Sequence, residues 1–253
     1  MTGSLDQQVS LDQQVSMEQQ VSMEQPGALD SKAGLDPNRD AQAGMILALH
    51  SSSETLGVAV CDCRDPIASQ RSATFPLGRG LSNSLLSCVE ELYPAALWPQ
   101  LSRLAVAIGP GGFTGTRLTV VMARTLAQQL SCPLDGFSSY QLMAPRLAAA
   151  LSPEQLEQPF WIVKTLPRRG VVAGRYQRQP AAVTGPRQLF VELVAPHLLA
   201  ENDQVSPALE AEDDVAVDVL RLLELSSAAN KRGQDAPWSE VLPIYPTSPV
   251  GVV

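Results

Sequence analysis

The chain has 253 residues, enough for one large domain or two modest ones, and 45% of them are hydrophobic, an ordinary fraction for a globular protein. Its formal net charge of −8 is uneven: residues 1–44 hold seven acidic and two basic side chains, which leaves the remainder only mildly acidic. That balance argues against gripping nucleic acid unaided, and no apolar run is long enough to span a bilayer.

With no basic-then-apolar leader at the start, the cytoplasm is the expected compartment and no membrane contact is expected. The four cysteines, Cys61, Cys63, Cys88 and Cys132, are irregularly spaced and read as reduced bystander thiols. Cys61-Asp62-Cys63 would suit metal or redox chemistry only beside a second Cys/His pair, and none follows.

The first 25 residues repeat a hexad, LDQQVS LDQQVS MEQQVS MEQ, and a Pro, Gly and Asp-rich stretch follows. A period of six does not match the helical 3.6, and Gln recurs on the face a strand would bury. Residues 1–44 are therefore expected to be a disordered repeat and linker, or an extension upstream of the natural start at Met45.

Folded character begins at Met45. MILALH (45–50), LGVAVCD (56–62) and IASQRSAT (67–74) read as three short strands joined by tight turns. SNSLLSCVEELYP offers Ser82 or Asn83 as helix cap, apolar Leu85, Leu86, Val89 and Leu92 at helical spacing, and Pro94 as a stop. LAVAI (104–108) is the kind of strand buried on both faces, and a glycine cluster and second helix follow it.

CPLDGFSS reads as strand and turn, SYQLMAPRLAAAL as a third helix interrupted by Pro145, and 160–165 with 170–177 as a hairpin through Pro167. Residues 178–207 are Pro-rich and resist assignment. A last helix is expected over 212–225, acidic at its start, before a Pro-rich tail.

The glycine cluster GPGGFTGTR invites a phosphate-cradle reading. A Walker A loop needs Lys and Ser/Thr after its last glycine, yet Gly115 is followed by Thr116 and Arg117. A dinucleotide fingerprint needs glycines at i, i+2 and i+5, yet here they stand at Gly109, Gly111, Gly112 and Gly115. What remains is helix initiation, with Thr114 as cap and Phe113 stapling to Leu118.

On the helix over 114–130, Leu118, Val121, Met122 and Leu126 form one stripe, and Val120, Ala123, Ala127 and Leu130 another. A helix apolar on two sides must be covered twice: by its own sheet, and by either a neighbouring helix or another protein. The two histidines, His50 and His197, exclude a multi-histidine metal site. Asp62 and Asp135 end strands beside turn residues, where Asp is common for local reasons. Arg168, Arg169, Arg175 and Arg178 make one basic cluster, read first as a solvated hairpin face.

MILALHSSSETLGVAV, LSNSLLSCVEELY, IGPGGFTGTRLTVVMARTLAQQL and GFSSYQLMA together resemble the TsaB (YeaZ) family, G-P-G-x-F-T-G-x-R being the most specific marker. The resemblance is good over 45–145 and loose beyond. It implies an α/β, actin-like or Hsp70-like ATPase (ribonuclease H-like) fold of mixed sheets with packed helices. Two lobes are expected after the extension, 45–145 and 146–253 with the tail.

The resemblance further implies a non-catalytic subunit in making N6-threonylcarbamoyladenosine at position 37 of tRNA. The partner would be TsaD, which carries the metal and the transfer chemistry, with TsaE joining as an ATPase, a homodimer forming when the partner is absent, and tRNA met only indirectly. In such relatives the two helices at 82–93 and 114–130 pack against TsaD or a second copy. The contact residues carried over are Leu85, Val89, Leu92, Phe113, Thr114, Arg117, Val120, Val121, Ala123, Arg124 and Ala127.

Where relatives place Asp at the end of the first strand, this chain has His50, and the next phosphate-loop glycine is replaced within SSSET. The family's frequent His-Ser pair appears as Leu81-Ser82. No catalytic residue, metal or cofactor is therefore expected. The competing class is an active enzyme, an ATP-binding phosphotransferase or the peptidase implied by the older glycoprotease label.

Overall fold

The computed structural model describes residues 44–180 and 190–246. The expectations for residues 1–43 and for the end of the tail lie outside the described residues. Five strands form the first sheet: β1 (Met45–His50), β2 (Thr55–Asp62), β3 (Arg71–Pro76), β4 (Leu101–Ala107) and β5 (Leu134–Phe137). Their order is β3-β2-β1-β4-β5. β1 runs antiparallel to β2 and parallel to β4, so direction switches at the centre of the sheet. This is the strand order of a ribonuclease H-like sheet, as expected.

β1 lacks polar alternation because both its faces are covered. Leu47 and Leu49 join a core with α1 (Leu81–Leu92) and α2 (Phe113–Leu130). Ile46 and Ala48 face the opposite way, onto Leu222 and Leu223 of the last helix. β3, at the edge, alternates between exposed and half-buried residues.

The second sheet contains β6 (Phe160–Leu166), β7 (Gly170–Arg178), β8 (Phe190–Leu198) and β9 (Ala208–Glu210), in the order β8-β7-β6-β9. β6 and β7 form the expected antiparallel hairpin, and β9 lies parallel to β6. Against this sheet packs α3 (Ser139–Leu147), through Tyr140, Met143 and Ala144 onto Phe160, Ile162 and Tyr176. A short α4 (Pro153–Leu156) follows, and α5 (Val215–Lys231) is the last α-helix among the described residues.

Several local expectations need correction. The third strand starts at Arg71, because 63–69 are spent in a turn that Asp65 organises: its carboxylate accepts from Ala68 N at 3.1 Å, and its carbonyl from the Ser69 hydroxyl at 2.6 Å. α1 is preceded by a 3-10 turn over 78–80 and capped by Gly80, so neither Ser82 nor Asn83 is the cap. α2 begins one residue earlier than expected, with Gly112 as cap and no side-chain capping bond from Thr114. Phe113 is therefore inside the helix, and packs on Tyr245 with ring centroids 5.2 Å apart instead of stapling to Leu118.

Pro145 does not interrupt α3, which runs through it to Leu147. α5 extends six residues beyond 225, because Ser226 and Ser227 continue the helix with buried hydroxyls. β8 lies in the stretch that resisted assignment, where Pro196 sits inside a strand at the sheet's edge, the place a proline is tolerated.

Candidate functional site

The glycine loop is held against the turn that follows β1. The Gly112 amide donates to the Ser52 carbonyl at 2.7 Å. A Cβ on Gly111 would lie 2.1 Å from that same carbonyl, and one on Gly115 would lie 2.9 Å from the Ser51 carbonyl. These two glycines let backbone approach backbone, locking the start of α2 onto the end of β1. Ser139 fixes the other side, its amide reaching the Gly109 carbonyl at 2.7 Å and its hydroxyl the Pro110 carbonyl at 2.6 Å.

The residues of α2 at 116, 119, 120, 123 and 127 point inward. Thr119 meets the Ser51 hydroxyl at 2.6 Å, while the Thr116 and Ser52 hydroxyls are buried with no partner. Sequence reasoning missed this polar seam. Its signal was readable: an inward helical series that opens with two threonines beside a strand ending in His-Ser-Ser.

His50 is fully buried, and neither ring nitrogen has a hydrogen-bond partner. Burial holds its pKa down at about 4, with the Asp213 carboxylate pulling the other way. At neutral pH it is an uncharged ring closing the strand end, where a carboxylate would be needed to organise a magnesium ion. His197 lies exposed on β8 in the other sheet, with Nδ1 3.0 Å from the Ala195 carbonyl, so the two histidines are not brought together. Among the described residues no group of three or more His, Cys, Asp or Glu could hold a metal ion.

The two strand-end aspartates are both engaged. Asp62 pairs with Arg64, which holds its pKa at about 2. Asp135 is buried and forked by Arg103, Nε and NH2 each at 2.7 Å, with the Ser226 hydroxyl at 2.6 Å. A carboxylate so saturated is a structural anchor between β4, β5 and α5. Cys61, Cys63 and Cys88 are free thiols.

The residues carried over as a contact surface divide sharply. Leu85 and Val89 of α1 and Val120, Ala123 and Ala127 of α2 are buried together in the chain's own core. The small Ala123 and Ala127 thus bring α2 close to its own sheet. Leu92 and Arg124 are half-buried, Arg124 lying over the Trp238 ring at 5.7 Å. Thr114 and Arg117 are exposed, as are Val121 at 53% and Leu86 at 51%, the latter not among the expected contacts. Leu118 and Met122 are partly covered by the core beneath them.

The arginine cluster also divides. Arg178 pairs with Glu157 and Arg175 lies over the Trp161 ring at 5.8 Å, whereas Arg168 and Arg169 occupy the tip of the β6–β7 hairpin. No helix among the described residues is long and apolar enough to cross a membrane.

Known proteins agree with this architecture. A family model described as TsaD, tRNA N6-adenosine threonylcarbamoyltransferase, matches residues 77–177. The tRNA threonylcarbamoyladenosine biosynthesis protein TsaB of Bacillus subtilis is 36% identical over 101 residues, 39% of this chain and 43% of that protein. YeaZ from Pseudomonas aeruginosa superimposes with a TM-score of 0.57 at 22% identity, over 80% of this chain and 99% of that one.

The chain is thus similar in part of its sequence to TsaB and in its fold to YeaZ. A second solved structure, described as a protein with similarity to peptidase YeaZ from Pseudomonas aeruginosa, gives a TM-score of 0.59 at 23% identity, over 81% of this chain and all of that one. At these identities the two solved structures establish the fold, and the sequence match to the Bacillus TsaB spans less than half of that protein's length.

Proposed function

We propose that this chain is a TsaB-type subunit of the machinery that makes threonylcarbamoyladenosine in tRNA, acting as a non-catalytic partner of TsaD rather than as the transferase. The observation that carries the partner role is the outer face of the α1–α2 layer. Leu86 and Val121 stand about half exposed on neighbouring helices whose inner faces are already spent on the core. Large aliphatic side chains left exposed on both helices of one layer support the reading that another protein covers it.

The non-catalytic part of the reading is supported by the end of β1. A buried, neutral His50 occupies the strand end, Asp135 is neutralised by Arg103, and His197 sits on the other sheet. No general base there has an open approach to a substrate. The reading assigns this docking layer to a first lobe built on the first sheet, which α5 also covers, and the second sheet with α3 to a second lobe, so the division does not follow a single cut near residue 145. A second copy of the chain, or a larger assembly with TsaE, would engage the same layer or its neighbours.

Depletion of the protein from its native cell, followed by nucleoside analysis of bulk tRNA, tests the pathway. Loss of threonylcarbamoyladenosine, restored by the wild-type chain, is the expected result. Undiminished threonylcarbamoyladenosine after complete depletion would overturn it.

A further inference from the structure

Between the start of α2 and the tip of the β6–β7 hairpin lies a cavity of about 310 Å³. One wall is aromatic: Phe113 and Tyr245, 37% and 39% exposed, tilted against each other with centroids 5.2 Å apart. Leu166, Pro167 and Ile244 continue it as an apolar surface. Behind the wall, the Arg117 guanidinium lies 4.6 Å from the Phe113 centroid and 5.5 Å from that of Tyr245, and its Nε donates to the Tyr245 hydroxyl at 3.1 Å. Arg117 thus pins both rings and adds positive charge to the wall.

The same cavity also has a polar, cationic lining. Arg169, on the hairpin tip, lines the cavity and takes part in no ion pair among the described residues. The first turn of the 18-residue α2 also lines it, through Phe113 and Thr116, and a helix start directs its unpaired amides toward an anion. Thr116 is 98% buried, lines the same cavity, and its hydroxyl has no partner, a cost that a native fold normally avoids. A hydroxyl without a partner, a guanidinium in no ion pair among the described residues and a helix start thus line the same cavity as the aromatic wall.

We infer that this cavity binds a nucleoside phosphate, either a free nucleotide or an unpaired residue of an RNA strand. The base would stack on Phe113 and Tyr245, while the phosphate would meet Arg169, the first turn of α2 and the Thr116 hydroxyl. A simple anion would leave the aromatic wall unused, and an uncharged ring would leave Arg169 and the helix start unused. A nucleoside phosphate engages both. The site includes Gly111, which abuts Ser52 in the turn after β1. It needs no metal. The RNA source, but not the site itself, rests on the tRNA reading above.

The test is titration of the purified full chain at low salt with AMP, with a labelled single-stranded RNA oligonucleotide, and with inorganic phosphate. Saturable binding of AMP identifies a free nucleotide, and binding of the oligonucleotide without AMP identifies an RNA strand. In either case Arg169→Ala, an exposed hairpin-tip change, is expected to weaken binding roughly tenfold and to flatten its salt dependence. Thr116→Val, which removes an unpaired hydroxyl at nearly constant volume, is expected to weaken binding several-fold with the thermal midpoint unchanged or raised.

Three results would overturn the inference: no binding of AMP or oligonucleotide at millimolar concentration, phosphate competing as well as AMP, or both variants binding as wild type does. If AMP or the oligonucleotide binds while depletion leaves tRNA threonylcarbamoyladenosine intact, the pathway reading fails and the site stands.

Discussion

The two faces of α2 carry similar residues and do opposite things. Inward, Val120, Ala123 and Ala127 are sealed against the first sheet and α1; outward, Val121 is half exposed and Leu118 and Met122 are only partly covered. The apolar pattern alone does not say which stripe is surplus, because hydrophobicity counts both alike. Position in the fold does: Val120, Ala123 and Ala127 fall on the face toward the sheet, whereas Val121, next in the chain to Val120, falls outside it.

That contrast can be broken at several points. Ala127→Glu places a charge in a sealed core with no partner, and should destabilise by about 4 kcal/mol or more in chemical denaturation, or prevent folding outright. Asp135→Asn leaves the buried Arg103 without its counter-charge and should cost about 3–5 kcal/mol in the same measurement.

His50→Leu probes the strand end through pH. The folded pKa of His50, about 4, lies below its ordinary 6.5, so its contribution to stability is full above about pH 6.5 and is lost as pH falls through about 4. Replacing it should remove roughly 3 kcal/mol of acid-side destabilisation, read as the difference between variant and wild type from pH 7 to pH 4. Asp218, whose pKa burial raises to about 6, acts in the opposite sense: its contribution is lost as pH rises from about 4 to 6. It cancels in that difference. Smallest in stability is Val121→Glu on the outer face, which should change the unfolding free energy by no more than about 0.5 kcal/mol.

Much of the first sheet and its helices could be read from residues alone, because β1, β2 and β4 are uninterrupted apolar runs and α1 and α2 have clear helical spacing. Their caps could not, since glycines at 80 and 112 leave no side-chain signature. The second sheet was half legible. The β6–β7 hairpin announces itself through Pro167 and its flanking apolar runs, whereas Pro196 conceals β8 until its edge position is known.

At the candidate site, the residues alone show that the glycine loop lacks the Walker and dinucleotide spacings. The slot beside it depends on Tyr245 and Arg169, far from α2 in sequence, so only the fold reveals it. The structure also moves five of the expected contact residues, Leu85, Val89, Val120, Ala123 and Ala127, into the core and adds Leu86 to the outer face.

The central claim is that the outer face of the α1–α2 layer docks TsaD. Its most direct test is the affinity of the purified chain for TsaD from the same organism, measured with wild type and with Val121→Glu after both are shown to be folded. A loss of at least tenfold, with the thermal midpoint unchanged, is the predicted result. Unaltered affinity in the folded variant, or no binding by the wild type, would contradict it.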